Sequence, residues 1–421
     1  MKVVYLHQYF STNSGSGGIR SFEFAKALIR NGHHVHVICL YINSKATGLK
    51  GPFINGKRHG YFEEIEITEF KINYSNYQNL FQRSLVFLRY LIRASKACLT
   101  LKYDLTFATS TPLTILIPAL LSKLFKGTPY IFEVRDLWPE LPIKMGLIKN
   151  RILIWLLTLL ENIGYRYASH CIGLAPGICN EINSRGIPKE TISFIPNFSN
   201  LNIFYPSIKK ECKSKYIEKY FKDKISKKDF ILAFTGAHGL ANGLENIIEV
   251  ANYLRLKNQK NIKFIFIGDG AQKPYLISLV KKRNLKNCHF FDPISRNDLA
   301  IVLREVVDVG LMCLQRNPSF FYGTSPNKFF DYLASGLPII INYPGWLTDL
   351  ILKEKNGVFC DSNNVEYFGD SIIKLSKDSS SLKLYANNSR KIAENKYSKE
   401  LMTRKLIDIF KLAIQNKTLK N

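Results

Sequence analysis

The sequence predicts an α/β protein built from two tandem parallel domains, and three observations carry that reading. The run "KVVYLHQYF", a glycine-rich loop and "RSFEFAKALIRNGHHVHVICL" read as strand, loop, helix, Gly32 turn and strand. That is the unit of a parallel sheet with crossover helices. The pattern then restarts after residue 229, with "FILAFTGAHGLANGLENIIEVANYL" and "IKFIFIGDGAQKPYLISLVKKRNL". Finally, 421 residues at 46% hydrophobic give material for two or three cores.

The remaining elements follow in order. Residues 81–102 form a basic amphipathic helix, and "YDLTFATS" a strand ending in a loop at Thr109–Pro112. An apolar helix at 113–124 leads to the strand "PYIFEV". "RDLWPE" follows at the strand's carboxyl end, where open α/β sheets place their sites. Residues 149–167 form a long helix, then "SHCIGLA" and "ISFIPN" short strands. The lysine-rich stretch 207–229 has little periodicity and marks the boundary. Beyond it, "CHFFDPIS", "VDVGLMCL", "LPIIIN" and "GVFC" are strands spaced for helices between them. Residues 383–418 are helical in pattern and very basic. The expected domains are 1–200, 201–382 and a helical tail, 383–421.

Charge narrows the partners. There are 59 Lys and Arg against 33 Asp and Glu, a net charge of +26. This favours anions: nucleic acid, anionic lipid or phosphorylated substrates. The eight cysteines show no CxxC pair and no Cys/His spacing, so they read as free thiols of a cytoplasmic protein. No signal peptide and no transmembrane run of 18 apolar residues is expected. His33, His34 and His36 fall on a helix exit and an alternating strand and read as structural. No metal site or cofactor is expected, since no HExxH, EF-hand or three-histidine pattern occurs.

The glycine loops carry the chemistry. Gly17 and Gly18 lie between the first strand and its helix, with Arg20 able to add a bidentate charge. In the second half Gly236, His238 and Gly239 precede a helix; His238 either contacts phosphate or caps a turn. GK[ST] is absent, which excludes a P-loop ATPase. Gly268, Asp269 and Gly270 form either a tight turn or a ligand contact. The best local chemistry is "GTSPNKFFDYLASGLP". Thr324 and Ser325 are expected to cap a helix, with Pro326 and Asn327 in its first turn. Lys328 stands where the helix dipole disfavours a cation, which makes sense if an anion arrives. Asp331, three residues on, can face the same side or simply pair with it. Glu133, Arg135, Asp136 and Glu140 crowd one strand end, either as an ion network or as a grip on a sugar, with Trp138 as a stacking wall or loop packing.

Together, "GSGGIRSFEFAKALIRNGHHVHVI", "EVRDLWPE", "GAHGLANGLE", "IGDG" and "GTSPNKFFDYLASGLPIIIN" resemble a retaining glycosyltransferase of family four, over nearly the whole chain. The branch most resembled makes bacterial surface polysaccharide and includes the N-acetyl-L-fucosamine transferase of O-antigen synthesis. The resemblance implies a GT-B fold, two Rossmann-like domains facing across a cleft. It implies a sugar nucleotide held mostly by the C-terminal domain, and a C-terminal helix that packs back on the first.

Matched by motif, Gly17 and Gly18 lie beside the diphosphate, and Arg135 stands where many relatives place a histidine near the transferred sugar. Asp331 falls at the second carboxylate of the family's Glu-x7-Glu element, a ribose ligand; the first falls at Gly323, which has no side chain. The basic pair of the second domain's first loop is also missing. Lys328 and Arg316 are left to supply positive charge.

The implied reaction is transfer of an N-acetylamino sugar, possibly N-acetyl-L-fucosamine, from a UDP-sugar with retention and without metal. The acceptor would be an undecaprenyl-diphosphate-linked saccharide, in O-antigen or capsule synthesis. On this reading Arg135, Asp136 and Lys328 are catalytic. Glu133, Trp138 and Glu140 bind acceptor, and the loop residues above bind donor. The basic face of helix 81–102, with Arg83, Arg89, Arg93 and Lys96, would rest on the anionic inner face of the bacterial inner membrane, with Leu85, Leu88 and Ile92 dipping in or packing on the sheet. The rivals are a UDP-sugar 2-epimerase of similar shape and a basic nucleic-acid-binding protein. The latter has no recognisable module, and nucleic acid is not an expected partner.

Overall fold

The computed structural model describes residues 1–15, 18–42, 46–72, 80–207, 213–315 and 317–418. The chain divides into two compact units. The first comprises Met1–Pro196, Gly323–Ser325 and Glu400–Asn421; the second comprises Asn197–Tyr322 and Pro326–Lys399. The division therefore falls at Pro196, and the tail splits. Helix Ser379–Asn395 belongs to the second unit, and only the chain from Glu400 groups with the first.

The first unit is an eight-stranded sheet. Its strands are β1 (Lys2–Leu6), β2 (His34–Leu40), β3 (Lys57–Phe62), β4 (Ile65–Phe70), β5 (Leu105–Thr109), β6 (Tyr130–Val134), β7 (His170–Gly173) and β8 (Ile192–Phe194). Their order is β3-β4-β2-β1-β5-β6-β7-β8, parallel except for β3 against β4. The central strands are apolar runs because helices cover both faces: Val3, Val4, Tyr5 and Leu6 are all buried. The last helix, Lys399–Thr418, sets Phe410 edge-on against Phe107 at 5.4 Å.

The second unit is a six-stranded parallel sheet. Its strands are β9 (Phe230–Thr235), β10 (Ile262–Ile267), β11 (Cys288–Phe291), β12 (Val309–Met312), β13 (Ile339–Ile341) and β14 (Gly357–Phe359). The order β11-β10-β9-β12-β13-β14 reverses direction between β9 and β12. That reversal opens a crevice at the strands' carboxyl ends, where ligands of such sheets bind. Phe234, Phe264, Phe266, Ile247 and Leu311 anchor its core.

One element is added to those the sequence predicts. The hairpin β3–β4 was not anticipated, because "KRHGYF" carries an edge strand's half-exposed polar pattern rather than an apolar run. Cys39, Cys98, Cys171, Cys179, Cys288, Cys313 and Cys360 are free thiols. Among the described residues no helix is long and apolar enough to cross a membrane.

Candidate active site

In the second unit, two loops leave adjacent strands and bond to each other. Gly236 N–H donates to Ile267 O, His238 N–H to Asp269 O, and Gln272 N–H to His238 O, each at 2.9 Å. Only glycine allows this approach. A Cβ on Gly268 (φ +151°) would lie 1.9 Å from Gly236 O, and one on Gly270 (φ +159°) 2.6 Å from His238 O. Gly268 and Gly270 therefore shape the loop above them, the tight-turn alternative, while Asp269 stays exposed.

That loop buries His238 completely, against the rings of Phe234, Phe266 and Phe290. Neither ring nitrogen has a hydrogen-bond partner. Burial, helped by the charges of Lys273 and Lys328, pulls its pKa down to about 4, so the ring is neutral. An unsatisfied buried polar group costs about 1–3 kcal/mol, which a fold tolerates when the group is kept for another purpose. The His238 side chain caps no turn.

Helix Asn327–Ala334 brings the second group. Its cap is Pro326, with no side-chain cap bond, so the expected Thr324–Ser325 cap is corrected. Ser325 is buried and Thr324 half-buried in the preceding loop. Phe329, Phe330, Tyr332 and Leu333 bury the helix, which leaves half-buried Asn327 and Lys328 in its first turn. Lys328 Nζ stands 3.4 Å from the centroid of the Phe234 ring, beside Gly236. Loss of hydration lowers its pKa to about 7, with Cys313 opposing slightly. Among the described residues no carboxylate forms an ion pair with it.

Asp331 does not share that side. It is 3% exposed and accepts a 2.8 Å bond from Arg296, whose guanidinium lies over Phe204. Its expected ribose contact therefore gives way to a structural ion pair. Gly239 is half-buried at the loop's end. Gly17 and Arg316 lie outside the described residues.

In the first unit the carboxyl ends of three neighbouring strands, β1, β5 and β6, meet. Arg135 donates from its guanidinium to His7 Nε2 at 3.3 Å, and its backbone N–H to Ser110 Oγ at 2.9 Å. The Thr111 hydroxyl donates to Asp136 at 3.1 Å; burial raises the Asp136 pKa, while Arg135 and Thr111 oppose. Gln8 is fully buried with neither amide atom bonded. His7 and Gln8 were missed by sequence reasoning, although "HQ" directly follows the first strand, the position that signals them.

Arg20 and Glu133 are corrected. Arg20 is 2% exposed and donates to Glu133 at 2.9 Å, to Ile195 O at 2.8 Å and to Pro196 O. Glu133 also accepts from Thr109 at 3.1 Å. With all three guanidinium nitrogens bonded inside the fold and both side chains buried, the pair ties β6 to the chain after β8. Glu140 pairs with Lys144 one turn on, Trp138 is half-buried, and Gly18 is half-buried just before helix Arg20–Arg30.

Two Rossmann-like sheets, each with polar groups at its strands' carboxyl ends, make up the GT-B fold. Comparison with known proteins agrees. Residues 18–202 match the family described as Glycosyltransferase Family 4, and residues 216–394 match Glycosyl transferases group 1. Each half of the chain thus matches a glycosyltransferase family, and the fold is GT-B.

Among curated relatives, it is 26% identical over 220 residues to the putative colanic acid biosynthesis glycosyl transferase WcaI of Escherichia coli K12, covering 52% of this chain and 51% of that one. It is 24% identical over 280 residues to the probable glycosyltransferase WbjE of Pseudomonas aeruginosa, covering 64% and 66%. The chain thus spans about half the length of the first relative and just under two thirds of the second. Among solved structures, Anabaena HepE in complex with UDP-glucose shares the fold at 16% identity and TM-score 0.70, over 98% of this chain and 99% of that one.

Proposed function

We propose that the chain transfers an N-acetylamino sugar from a UDP-sugar to a lipid-linked saccharide, with retention, in bacterial surface-polysaccharide synthesis. The observation that carries the donor assignment is Lys328, half-buried and without a carboxylate partner among the described residues, beside the unsatisfied His238 at the sheet's reversal point. A diphosphate arriving there restores the ammonium's counter-charge and gives the imidazole N–H an acceptor. The solved HepE complex with UDP-glucose supports UDP as the nucleotide. The names of WcaI and WbjE support a polysaccharide setting.

In the proposed reaction the bond from the anomeric carbon to the β-phosphate oxygen breaks as the acceptor oxygen bonds to that carbon on the same face. The acceptor proton passes to the departing phosphate. Lys328 and the first turn of helix Asn327–Ala334 stabilise the charge developing on that phosphate. His7, Arg135 and Asp136 of the first unit serve the sugar and acceptor. The remaining donor-side groups are Gly236, Gly239, Thr324, Ser325 and Asn327.

The experiment is a thermal-shift screen of UDP, GDP and dTDP and their sugars, followed by UDP release with a lipid-linked acceptor. UDP should stabilise the protein, and release should require the acceptor. No shift with any nucleotide overturns the donor assignment; conversion of UDP-sugar without acceptor favours the epimerase.

A peripheral position on anionic lipid is part of this proposal. Helices Leu80–Thr100, Leu116–Lys126 and Arg151–Tyr167 pack in sequence along the first unit. They expose Leu88, Ile92, Leu124 (76%), Phe125, Ile152 (71%) and Trp155 (63%). Arg89, Lys96, Lys126 and Arg151 are exposed on the same helices. Apolar anchors rimmed by cations are the composition of an interfacial surface.

A further inference from the structure

The three strands at one end of the first sheet, β2, β4 and the edge strand β3, bring together residues far apart in sequence. His36 pairs in register with Glu66, and His59 with Thr68. His36 Nδ1 lies 3.4 Å and His59 Nε2 3.5 Å from the same oxygen, Glu66 Oε1. One ligand atom from each of the three residues lies within 4.8 Å of the others. We propose that His36, His59 and Glu66 form a site for a divalent transition-metal ion of zinc type, stapling the edge hairpin to the sheet.

Three features support it. A tetrahedral ion with bonds of about 2.0–2.1 Å holds its ligand atoms about 3.3–3.4 Å apart, close to the two separations above. The far nitrogen of each ring is held by one hydroxyl: Thr68 Oγ1 lies 2.8 Å from His36 Nε2 and 3.0 Å from His59 Nδ1. Such outer contacts fix ring orientation and tautomer at metal sites. They also create a conflict that a cation resolves. The Thr68 hydroxyl has one hydrogen, so at least one ring must donate its own N–H to Thr68. When neutral, that ring aims a lone pair at the Glu66 carboxylate.

His34 Nε2, 3.2 Å from Glu66 Oε2, orients the other carboxylate oxygen. The cluster opens into a cavity of about 530 Å³, also lined by Lys57, Arg93 and Lys96, which gives an entry path. Arg93 is tied to Gly56 O at 2.7 Å. Lys57 and Lys96 oppose a cation, so the site selects an ion whose bonds to imidazole nitrogen outweigh that repulsion, zinc over magnesium or calcium. His34, His36 and Glu66 lie towards the amino ends of β2 and β4, opposite the strand ends that carry His7 and Arg135. The metal's role is thus structural, on a face the transfer chemistry does not use. The alternating histidines read as structural from sequence; β3 and β4, unrecognised there, supply the partners.

The test uses the untagged full chain, treated with chelator and titrated with zinc chloride by calorimetry, with cobalt(II) as a spectroscopic probe. One zinc per chain, a raised Tm and the visible absorption of tetrahedral cobalt are expected. His59→Ala and Glu66→Gln should each weaken binding at least about tenfold, and Thr68→Val, which removes no ligand, about tenfold. His59 is on an exposed edge and Glu66→Gln keeps its shape, so both variants should melt like the metal-free wild type. No saturable binding at about 100 μM zinc, or binding of unchanged strength in both ligand variants, overturns the proposal.

Discussion

His238 separates a structural role from a binding role more cleanly than any other residue. Its ring packs among three phenylalanines, and its two nitrogens gain nothing from the fold. His238→Phe keeps the volume and removes the unsatisfied atoms. The Tm should hold or rise, because burying apolar surface without an orphaned polar group is worth about 1–3 kcal/mol. UDP affinity should fall about tenfold or more, the loss of one charge-assisted hydrogen bond. A thermal melt and a UDP titration on the same preparation check both halves; unchanged affinity would return His238 to the core.

At the scale of elements, the ion pair of half-buried Arg296 with buried Asp331 holds helix Asn327–Ala334 in place. Truncating one partner strands a buried charge, at about 3–5 kcal/mol. Arg296→Met should therefore lower stability by that order in urea melts, while Arg296→Met with Asp331→Leu recovers most of it. A ribose role for Asp331 would instead leave the double variant stable but unable to bind UDP. The same helix shows how far sequence reached. Its end at Gly336, its apolar face and the lysine of its first turn follow from residue spacing. The partner of Asp331 does not, because Arg296 is 35 positions away and joins it only through the packed fold. Arg20 and Glu133 misled for the same reason. A charge in a glycine loop and a carboxylate at a strand end each suggest a ligand until the fold pairs them 113 residues apart. The hairpin β3–β4 escaped because an edge strand needs no apolar run, and with it went the partners of His36.

Across the whole molecule, the net charge of +26 and the exposed apolar helices act together. Electrostatics should bring the first unit to an anionic surface, and the apolar side chains should retain it. Cosedimentation with vesicles should rise with anionic lipid and fall with salt, screened over about 8–10 Å. Trp155→Ala with Ile152→Ser should weaken it without changing UDP binding. Binding indifferent to lipid charge, salt and both substitutions would remove the membrane from the account.

The central claim is that Lys328 meets the donor diphosphate. In the free protein its pKa sits near 7, well below the ordinary 10.5, because burial penalises the charged form. A bound diphosphate favours that form and raises the pKa again, so at about pH 8 binding must take up protons, while well below pH 7 the lysine is already charged and uptake vanishes. Calorimetric titration with UDP at about pH 8, in two buffers of different ionisation heat, reads this directly. The expected result is net proton uptake in the wild type, lost in Lys328→Ala together with about tenfold or more of the affinity. UDP binding of equal strength and equal proton balance in both proteins would contradict it.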